Sequence, residues 1–216
     1  MANVVAVMPC LGRAEQTVAC AHRLVEHAGM EAKFVLICDG DNELATQLGL
    51  RLPWADVVTT GKRVGYWRCL AAGAARHEAK FIVNLANDLL PGKAWLMRAM
   101  SAHVERFTDG RGMIGFIDGI NDNCHAAHFL VDRASLRYFY GDKLFPTCYD
   151  HNYGDTELGE RFRELNRYAL SKFAVLYHNH ELTGAPQDAI YEQGRSRFED
   201  DKRLFEQRKA SKWPAL

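Results

Sequence analysis

The sequence predicts an α/β protein with a mostly parallel, Rossmann-like sheet and helices on both faces. Two observations support this prediction. Short β-branched runs alternate with helical patterns through the first half of the chain, as they do in crossover units. The run KFIVNLA at 80–86 hardly alternates between apolar and polar positions, which is typical of a parallel strand that is buried on both faces.

The elements of the first half follow in a regular order. Strand-like runs occupy 3–9, 33–41, 56–61 and 80–86, and helical patterns occupy 14–29, 42–50 and 65–79. In the first helical pattern, one set of residues recurs every three or four positions, which predicts a single inward stripe. Its members are Val18, His22, Val25 and Ala28.

The second half is less regular. Residues 140–155, an irregular aromatic and acidic stretch, are too long for a simple turn, and we expect a substrate-binding loop there. A helix should follow, with Asp155 as its N-cap and an apolar stripe of Leu158, Phe162, Leu165 and Ala169. A strand over 173–180 and a charged surface helix with a frayed end come next. These features predict one domain over 1–185 and a helical tail over 186–216.

Composition limits the classes of function. The 216 residues include 27 basic and 27 acidic side chains, so no net charge attracts a polyanion or a membrane surface. The six cysteines show no CxxC spacing, which argues against zinc and redox motifs. No window reaches the roughly 18 to 20 apolar residues of a membrane span. We therefore expect a protein of a reducing cytoplasm.

Acidic residues follow two of the predicted strands. Asn87 and Asp88 come after one strand, and Asp39 and Asp41 close another. Because ligands of open α/β sheets bind at the carboxyl ends of the strands, these side chains indicate one shared cleft. The alternative for Asn87 and Asp88 is a simple turn before the Pro-Gly dipeptide that follows them.

Histidines near the end of the chain add nitrogen ligands to this set. His178 and His180 are two residues apart, so on a strand they share a face. A carboxylate such as Asp88 and an imidazole suit Mg²⁺ or Mn²⁺ between the protein and ligand phosphates. The alternatives are purely structural histidines, or a metal hydrolase that also uses His125 and His128. The hydrolase alternative lacks the tight helical spacing of metalloprotease motifs.

The order of these features resembles the family-2 type of glycosyltransferases with the GT-A fold. The resemblance rests on VVAVMPCLGR, KFVLICDGD, the stretch from Gly65 to Pro91, YDHNYGDTELGERFRELNR and YHNH, which together run from about Asn3 to about His180. No single motif is specific, and their order and spacing carry the likeness.

The resemblance implies a donor site for a nucleotide sugar. Residues at or near the strand ends would contact the nucleotide and its diphosphate: Pro9, Arg13, Asp39, Asp41, Lys62, Arg63 and Gly65. The metal-binding DxD motif of the family aligns with Ala86-Asn87-Asp88, which makes Asp88 the metal ligand and Asn87 a neighbour of the sugar or ribose. The first acid of that motif is missing here, because Ala86 stands in its place.

The resemblance also implies an acceptor side. An acidic pair at a helix start in the family aligns with Gly154-Asp155, so that Asp155 would be the general base of an inverting transfer. Glu157 would position the acceptor, and Tyr153, like Tyr66, Trp67 and Tyr149, could stack on a base, sugar or acceptor. His178 or His180 would complete the metal shell.

The implied activity is transfer of a sugar from a nucleotide-diphosphate donor, most simply a UDP-sugar, to a hydroxyl with Mn²⁺ or Mg²⁺. Two other functions remain open: a GT-A-like module that binds but does not turn over, and a nucleotidyltransferase. The small size also resembles glycosyltransferases of bacterial viruses, some of which modify DNA bases. The acceptor is left as a glycan, a lipid-linked sugar, a protein or a modified DNA base.

Overall fold

The computed structural model describes residues 3–120, 126–184 and 189–216. The strands in these ranges are β1 Val4–Cys10, β2 Lys33–Cys38, β3 Asp56–Thr59, β4 Phe81–Asn84, β5 Leu89–Pro91, β6 Met113–Ile117, β7 Phe129–Asp132 and β8 Tyr168–His178. The α-helices are α1 Ala14–Glu26, α2 Asn42–Arg51, α3 Tyr66–Ala75, α4 Trp95–Arg106, α5 Arg133–Tyr140, α6 Gly154–Glu164, α7 Ala189–Arg195 and α8 Phe198–Ala210.

The strands of the described ranges form one sheet in the order β3-β2-β1-β4-β7-β6-β8-β5. β5 and β7 run antiparallel to their neighbours, and all the other strands run in one common direction. The sheet is therefore mostly parallel, as predicted. The carboxyl ends of the parallel strands and the amino ends of β5 and β7 lie along the same edge, where ligands of such sheets bind.

Helices cover both faces of the sheet, which confirms the predicted fold class. Alternate residues of β1 enter two separate cores, because successive side chains of a strand point to opposite faces. Val4, Ala6 and Met8 pack with residues of α1, α2 and α4. Val5 and Val7 pack with residues of α3, α5, α6 and α8. None of the helices in the described ranges is long and apolar enough to cross a membrane.

The inward stripe of α1 agrees with the predicted one in part. Val18 and Ala28 are buried as expected, whereas Val25 is exposed and His22 also faces solvent. Ala21 and Leu24 are buried in their place. Thr17 is buried as well, and its hydroxyl accepts a hydrogen bond from the amide nitrogen of Asn87 at 2.9 Å.

The limits of α6 also differ from the prediction. The N-cap is Tyr153, whose carbonyl accepts from the Glu157 amide at 2.9 Å, so Asp155 lies inside the first turn. The helix ends at Glu164, since Asn166 adopts a left-handed backbone conformation. Ala169 belongs to β8, where it pairs with Ile114 of β6, and is not part of the helical stripe.

The charged C-terminal helix α8 packs against α6 through buried charges. The guanidinium of Arg208 donates to both carboxylate oxygens of Glu157, at 2.8 and 2.9 Å. The hydroxyls of Tyr140 and Tyr149 donate to the same carboxylate. Burial alone raises the pKa of Glu157, but the hydrogen bonds from Arg208 and the tyrosines outweigh it and hold the pKa below its ordinary value. The predicted surface helix is thus anchored in the core.

A second close contact joins α6 to α3. The indole of Trp67, which is 2% exposed, covers the start of α6. A Cβ atom at Gly154 would lie 2.2 Å from its Cε2 atom, so residue 154 has no room for a side chain. Packing against Trp67 therefore requires glycine at this position.

We expect Glu157→Gln to destabilise the protein by about 3–5 kcal/mol at neutral pH, because it leaves the Arg208 charge buried without its partner. Urea unfolding of the variant and the wild type measures this difference. Glu160→Gln is the control, since Glu160 pairs with the half-exposed Lys209, and should cost no more than about 1 kcal/mol. The folded-state pKa of Glu157 is lowered, so its contribution is present at neutral pH and is lost as the pH falls through that value. An equal loss of unfolding free energy in the two variants would contradict the role of Glu157 in anchoring α8.

We expect Gly154→Ala to destabilise the fold by about 1–3 kcal/mol, because the new methyl group overlaps the Trp67 ring. Gly49→Ala is the matched control within a helix, since a Cβ atom at Gly49 meets nothing within 4 Å. That change should stabilise the protein by about 0.5–1 kcal/mol through helix propensity. Thermal unfolding of both variants measures these changes in stability. An unchanged stability of Gly154→Ala would show that the Trp67 indole can move away.

Candidate active-site cleft

A cleft of about 500 Å³ opens at the edge of the sheet where the parallel strands end. Most of the predicted site residues line it: Pro9, Arg13, Asp39, Arg63, Gly65, Asn87, Asp88, Tyr153, Asp155, His178 and His180. Three of them do not, namely Asp41, Lys62 and Glu157. The structure therefore brings together acids and histidines that lie far apart in the sequence.

Asp88 lies at the centre of this cleft and is 6% exposed. It directly precedes β5, in which Leu89 pairs with His178 of β8. This register places the His178 Nε2 atom 3.1 Å from Asp88 Oδ1. On the other side, the Arg13 guanidinium lies 3.5 Å from Asp88 Oδ2. One carboxylate thus contacts both an imidazole and a guanidinium.

Asp88 and His178 are side chains of the types that bind divalent cations. Here the 3.1 Å between Asp88 Oδ1 and His178 Nε2 is the distance of a direct contact between carboxylate and imidazole. In the described part of the chain, no group of three or more His, Cys, Asp or Glu side chains is arranged to hold a metal ion. The protein offers two ligands, and phosphate and water oxygens would have to supply the others.

Three imidazoles meet beside Asp88. The ring centre of His178 lies 5.0 Å from that of His180 and 4.9 Å from that of His128. The Nδ1 atom of His180 accepts a hydrogen bond from the Leu182 amide at 3.2 Å. Sequence reasoning did not place His128 here, because on a strand His125 and His128 would point to opposite faces. His125 lies outside the described residues. His128 in fact stands just before β7, at the cleft edge.

Asp39 holds the loop that begins α3. Its carboxylate oxygens accept from the amides of Val64 at 2.7 Å and Gly65 at 3.0 Å. The Arg63 guanidinium lies 3.7 Å away. Gly65 has a φ of +93°, and a Cβ atom there would lie 2.6 Å from Asp150, so only glycine fits. Asp39 therefore shapes the wall of the cleft at the end of β2.

Of three further residues predicted to bind the donor, two have local structural partners and the third lies outside the cleft. Asp41 is the N-cap of α2 and accepts from the Leu44 amide at 2.9 Å, which turns it away from the cleft. The Lys62 side chain is exposed and outside the cleft. Asn87 borders the cleft, but its amide nitrogen is directed at Thr17.

Asp155 lies in the first turn of α6 and faces the cleft. Its Oδ1 atom accepts from the Thr156 amide at 2.8 Å, which fixes the carboxylate. The nearby Tyr66 hydroxyl donates to Asn84 Oδ1 at 2.6 Å. Burial raises the pKa of Tyr66, and the charges of Asp155 and Asp88 raise it further, so this phenol stays protonated. Asp155 is one of the lining groups that can accept a proton, together with Asp150 and His151.

Glu157 does not face the cleft, in contrast to the role expected for it. Its side chain is fully buried and its oxygens are engaged by Arg208, Tyr140 and Tyr149. One residue separates it from Asp155 on the helix, which turns the two carboxylates to different sides. Tyr149 is likewise fully buried in this network and is not available for stacking.

The loop 150–152 closes the cleft and is held from two sides. The carboxylate of Asp201, on α8, accepts from the amides of Asp150, His151 and Asn152 at 2.8 to 3.0 Å. On the other side, the Tyr66 amide donates to the Asp150 carbonyl and the Trp67 indole donates to the His151 carbonyl. Sequence reasoning missed this anchor, since Asp201 lies within a charged stretch that resembles an ordinary solvated surface.

No family model matches the chain, and no curated protein matches it. Its fold is similar to that of the mannosyltransferase PcManGT from Pyrobaculum calidifontis, solved with GDP-Man and Mn²⁺. The TM-score is 0.68 at 14% identity, over 82% of this chain and 56% of that one.

Two structures of S. aureus TarS 1-349 are also similar, each with a TM-score of 0.62. One, with 12% identity, covers 82% of this chain and 60% of that one. The other, in complex with UDP-GlcNAc, has 11% identity and covers 87% of this chain and 62% of that one. The chain thus spans less than two thirds of the length of these structures. At such identities the likeness concerns the fold alone, and it confirms the predicted GT-A-type α/β architecture.

Proposed function

We propose that this protein transfers a sugar from a nucleotide-diphosphate donor to an acceptor hydroxyl. The observation that carries the proposal is the position of Asp88 in the cleft, between Arg13 and His178, with Asp39 along the sheet edge and Asp155 on the facing helix. The fold likeness supports it, because one similar structure holds GDP-Man with Mn²⁺ and another holds UDP-GlcNAc.

We propose positions for the parts of the donor from the order of the strands. The base would lie near Asp39 at the end of β2, and the diphosphate near Arg13 and Asp88, after β1 and β4. Arg63, which is half exposed at the cleft wall, adds a further positive charge. We propose a UDP-sugar as the donor, and the GDP-sugar bound by the similar mannosyltransferase is the second donor to test.

Asp88 and His178 would hold a divalent cation, Mn²⁺ or Mg²⁺, together with oxygens of the donor. When bound, the cation would offset the negative charge that develops on the leaving diphosphate. The Arg13 guanidinium lies on the other carboxylate oxygen and supplies positive charge from the protein itself. His180 is the neighbouring imidazole on the same side of the cleft.

Asp155 would act as the general base. Its carboxylate would take the proton of the acceptor hydroxyl while that oxygen attacks the anomeric carbon and the bond to the diphosphate breaks on the opposite face. This geometry inverts the anomeric configuration and needs no covalent intermediate. The hydrogen bond from the Thr156 amide holds the base in place on the helix. Tyr153 borders the same part of the cleft and could contact the acceptor.

A second candidate is a module that binds a nucleotide sugar without turnover. Two observations favour it: Ala86 replaces an acid of the metal motif, and the indole of Trp67 fills the space where a family glutamate would stand. In that case, ligands would bind but no sugar would be transferred.

Titration calorimetry with UDP, GDP and their sugar derivatives, with and without Mn²⁺, tests the donor site. We expect Mn²⁺ to tighten binding in the wild type and to have no effect in Asp88→Ala, which lacks the carboxylate ligand. Asp109→Ala is the control, because Asp109 is half exposed and outside the cleft. Absence of binding to the wild type under every condition would overturn the donor site.

We expect Asp155→Asn to lower kcat by about 10²- to 10⁴-fold, because the amide cannot accept the acceptor proton. Donor affinity should stay within about twofold of the wild type, since the donor does not need this base. Glu160→Gln, on the same helix but outside the cleft, should retain activity. Transfer is measured with a donor that binds and a panel of glycan, lipid-linked, protein and DNA acceptors. Full activity of Asp155→Asn would show that another residue is the general base. Donor binding by the wild type without transfer to any acceptor would favour the binding module.

A further inference from the structure

His128, which lines the cleft, has two ring nitrogens that accept or donate no hydrogen bond within the described residues. The residue is 3% exposed. His103, which is also buried, contacts the Gly112 carbonyl at 3.2 Å through its Nε2 atom, and only its Nδ1 atom lacks a partner among the described residues. Buried polar groups are nearly always paired in folded proteins, so His128 requires an explanation.

The environment of His128 determines what it can bind. The ring is buried, with the ring centre of His178 4.9 Å from its own. A neutral imidazole has one N–H donor and one nitrogen acceptor. A hydroxyl group, which can both donate and accept, is the natural partner of such a ring, whereas a phosphate oxygen can only accept.

The topology places His128 at one particular point along the cleft. It stands immediately before β7, which lies next to β4 on the side away from β1 and β2. A donor with its base at the end of β2 and its diphosphate at Asp88 after β4 therefore extends toward β7 with its sugar. The ring of His128 stands against that of His178, the imidazole that contacts Asp88.

We propose that His128 recognises a hydroxyl of the donor sugar and so sets donor specificity. This inference rests on the proposed function, since it requires the nucleotide sugar to occupy the cleft. The ring would form a hydrogen bond for which the described residues provide no partner, while the nucleoside diphosphate alone would not reach it.

A purely structural role makes a different prediction. His128 packs against His178 at a ring distance of 4.9 Å and an interplanar angle of 71°. If packing were its only role, replacing His128 would shift His178 and Asp88. The affinity for the nucleoside diphosphate would then fall as much as the affinity for the nucleotide sugar. Comparing the affinities for the two ligands therefore distinguishes recognition of the sugar from structural support of His178.

The experiment compares His128→Phe, which keeps a ring against His178 but removes both nitrogens, with His103→Phe as the buried control. Calorimetry measures the affinity for a nucleoside diphosphate and for the matching nucleotide sugar at one Mn²⁺ concentration. In His128→Phe, we expect the gain in affinity that the sugar provides to fall by about five- to tenfold. The affinity for the diphosphate alone should stay within about twofold, and His103→Phe should change neither.

His128→Gln keeps one donor and one acceptor and should recover part of the gain. Donor analogues that each lack one sugar hydroxyl identify the group: the relevant analogue should bind the wild type and His128→Phe equally. An unchanged gain in His128→Phe, or an equal loss for both ligands, overturns the inference while leaving the donor site intact. Failure of the wild type to bind the diphosphate overturns the proposed function itself. If His128→Phe does not fold, His128→Met is compared in the same way.

Discussion

The antiparallel pairing of β5 with the end of β8 is the contact on which the candidate site depends. β5 is three residues long and forms the edge of the sheet. Its register sets Leu89 opposite His178, and the Asn179 amide donates to the Asp88 carbonyl at 2.9 Å. Pro91 is tolerated because an edge strand can lack an amide donor. A shift of one residue in this pairing would turn His178 to the other face and separate it from Asp88.

The fold and the main acids could be predicted from sequence because both depend on local patterns. Alternation of strand and helix signals defines the sheet, and strands that run in one direction must end at one edge. Asp88, Asp155 and His178 were found in this way, since each lies beside the end of a regular element. The roles that the family resemblance implied for these residues stay predictions.

Side-chain direction could not be predicted, because tertiary partners decide it. Asp41 and Glu157 are acids near the right elements, yet one caps α2 and the other pairs with Arg208. The role of His128 was hidden for a related reason: its orientation depends on where β7 begins. Asp201 shows the same limit, since a charged run gives no sign that one member accepts three backbone amides of a distant loop.

The attachment of α8 also has a consequence for the order in which the protein can form during synthesis. Asp201 and Arg208 each lie 51 residues after the group that they hold, Asp150 and Glu157 respectively. A ribosome adds roughly 5–20 residues per second, so about 3–10 s separate the two partners of each contact. The first strands and their terminal carboxylates can pair during this interval, while loop 150–152 still lacks its α8 anchor. The emerging chain would therefore have the side of the cleft formed by the first strand ends before the opposite wall, and the cleft would close last.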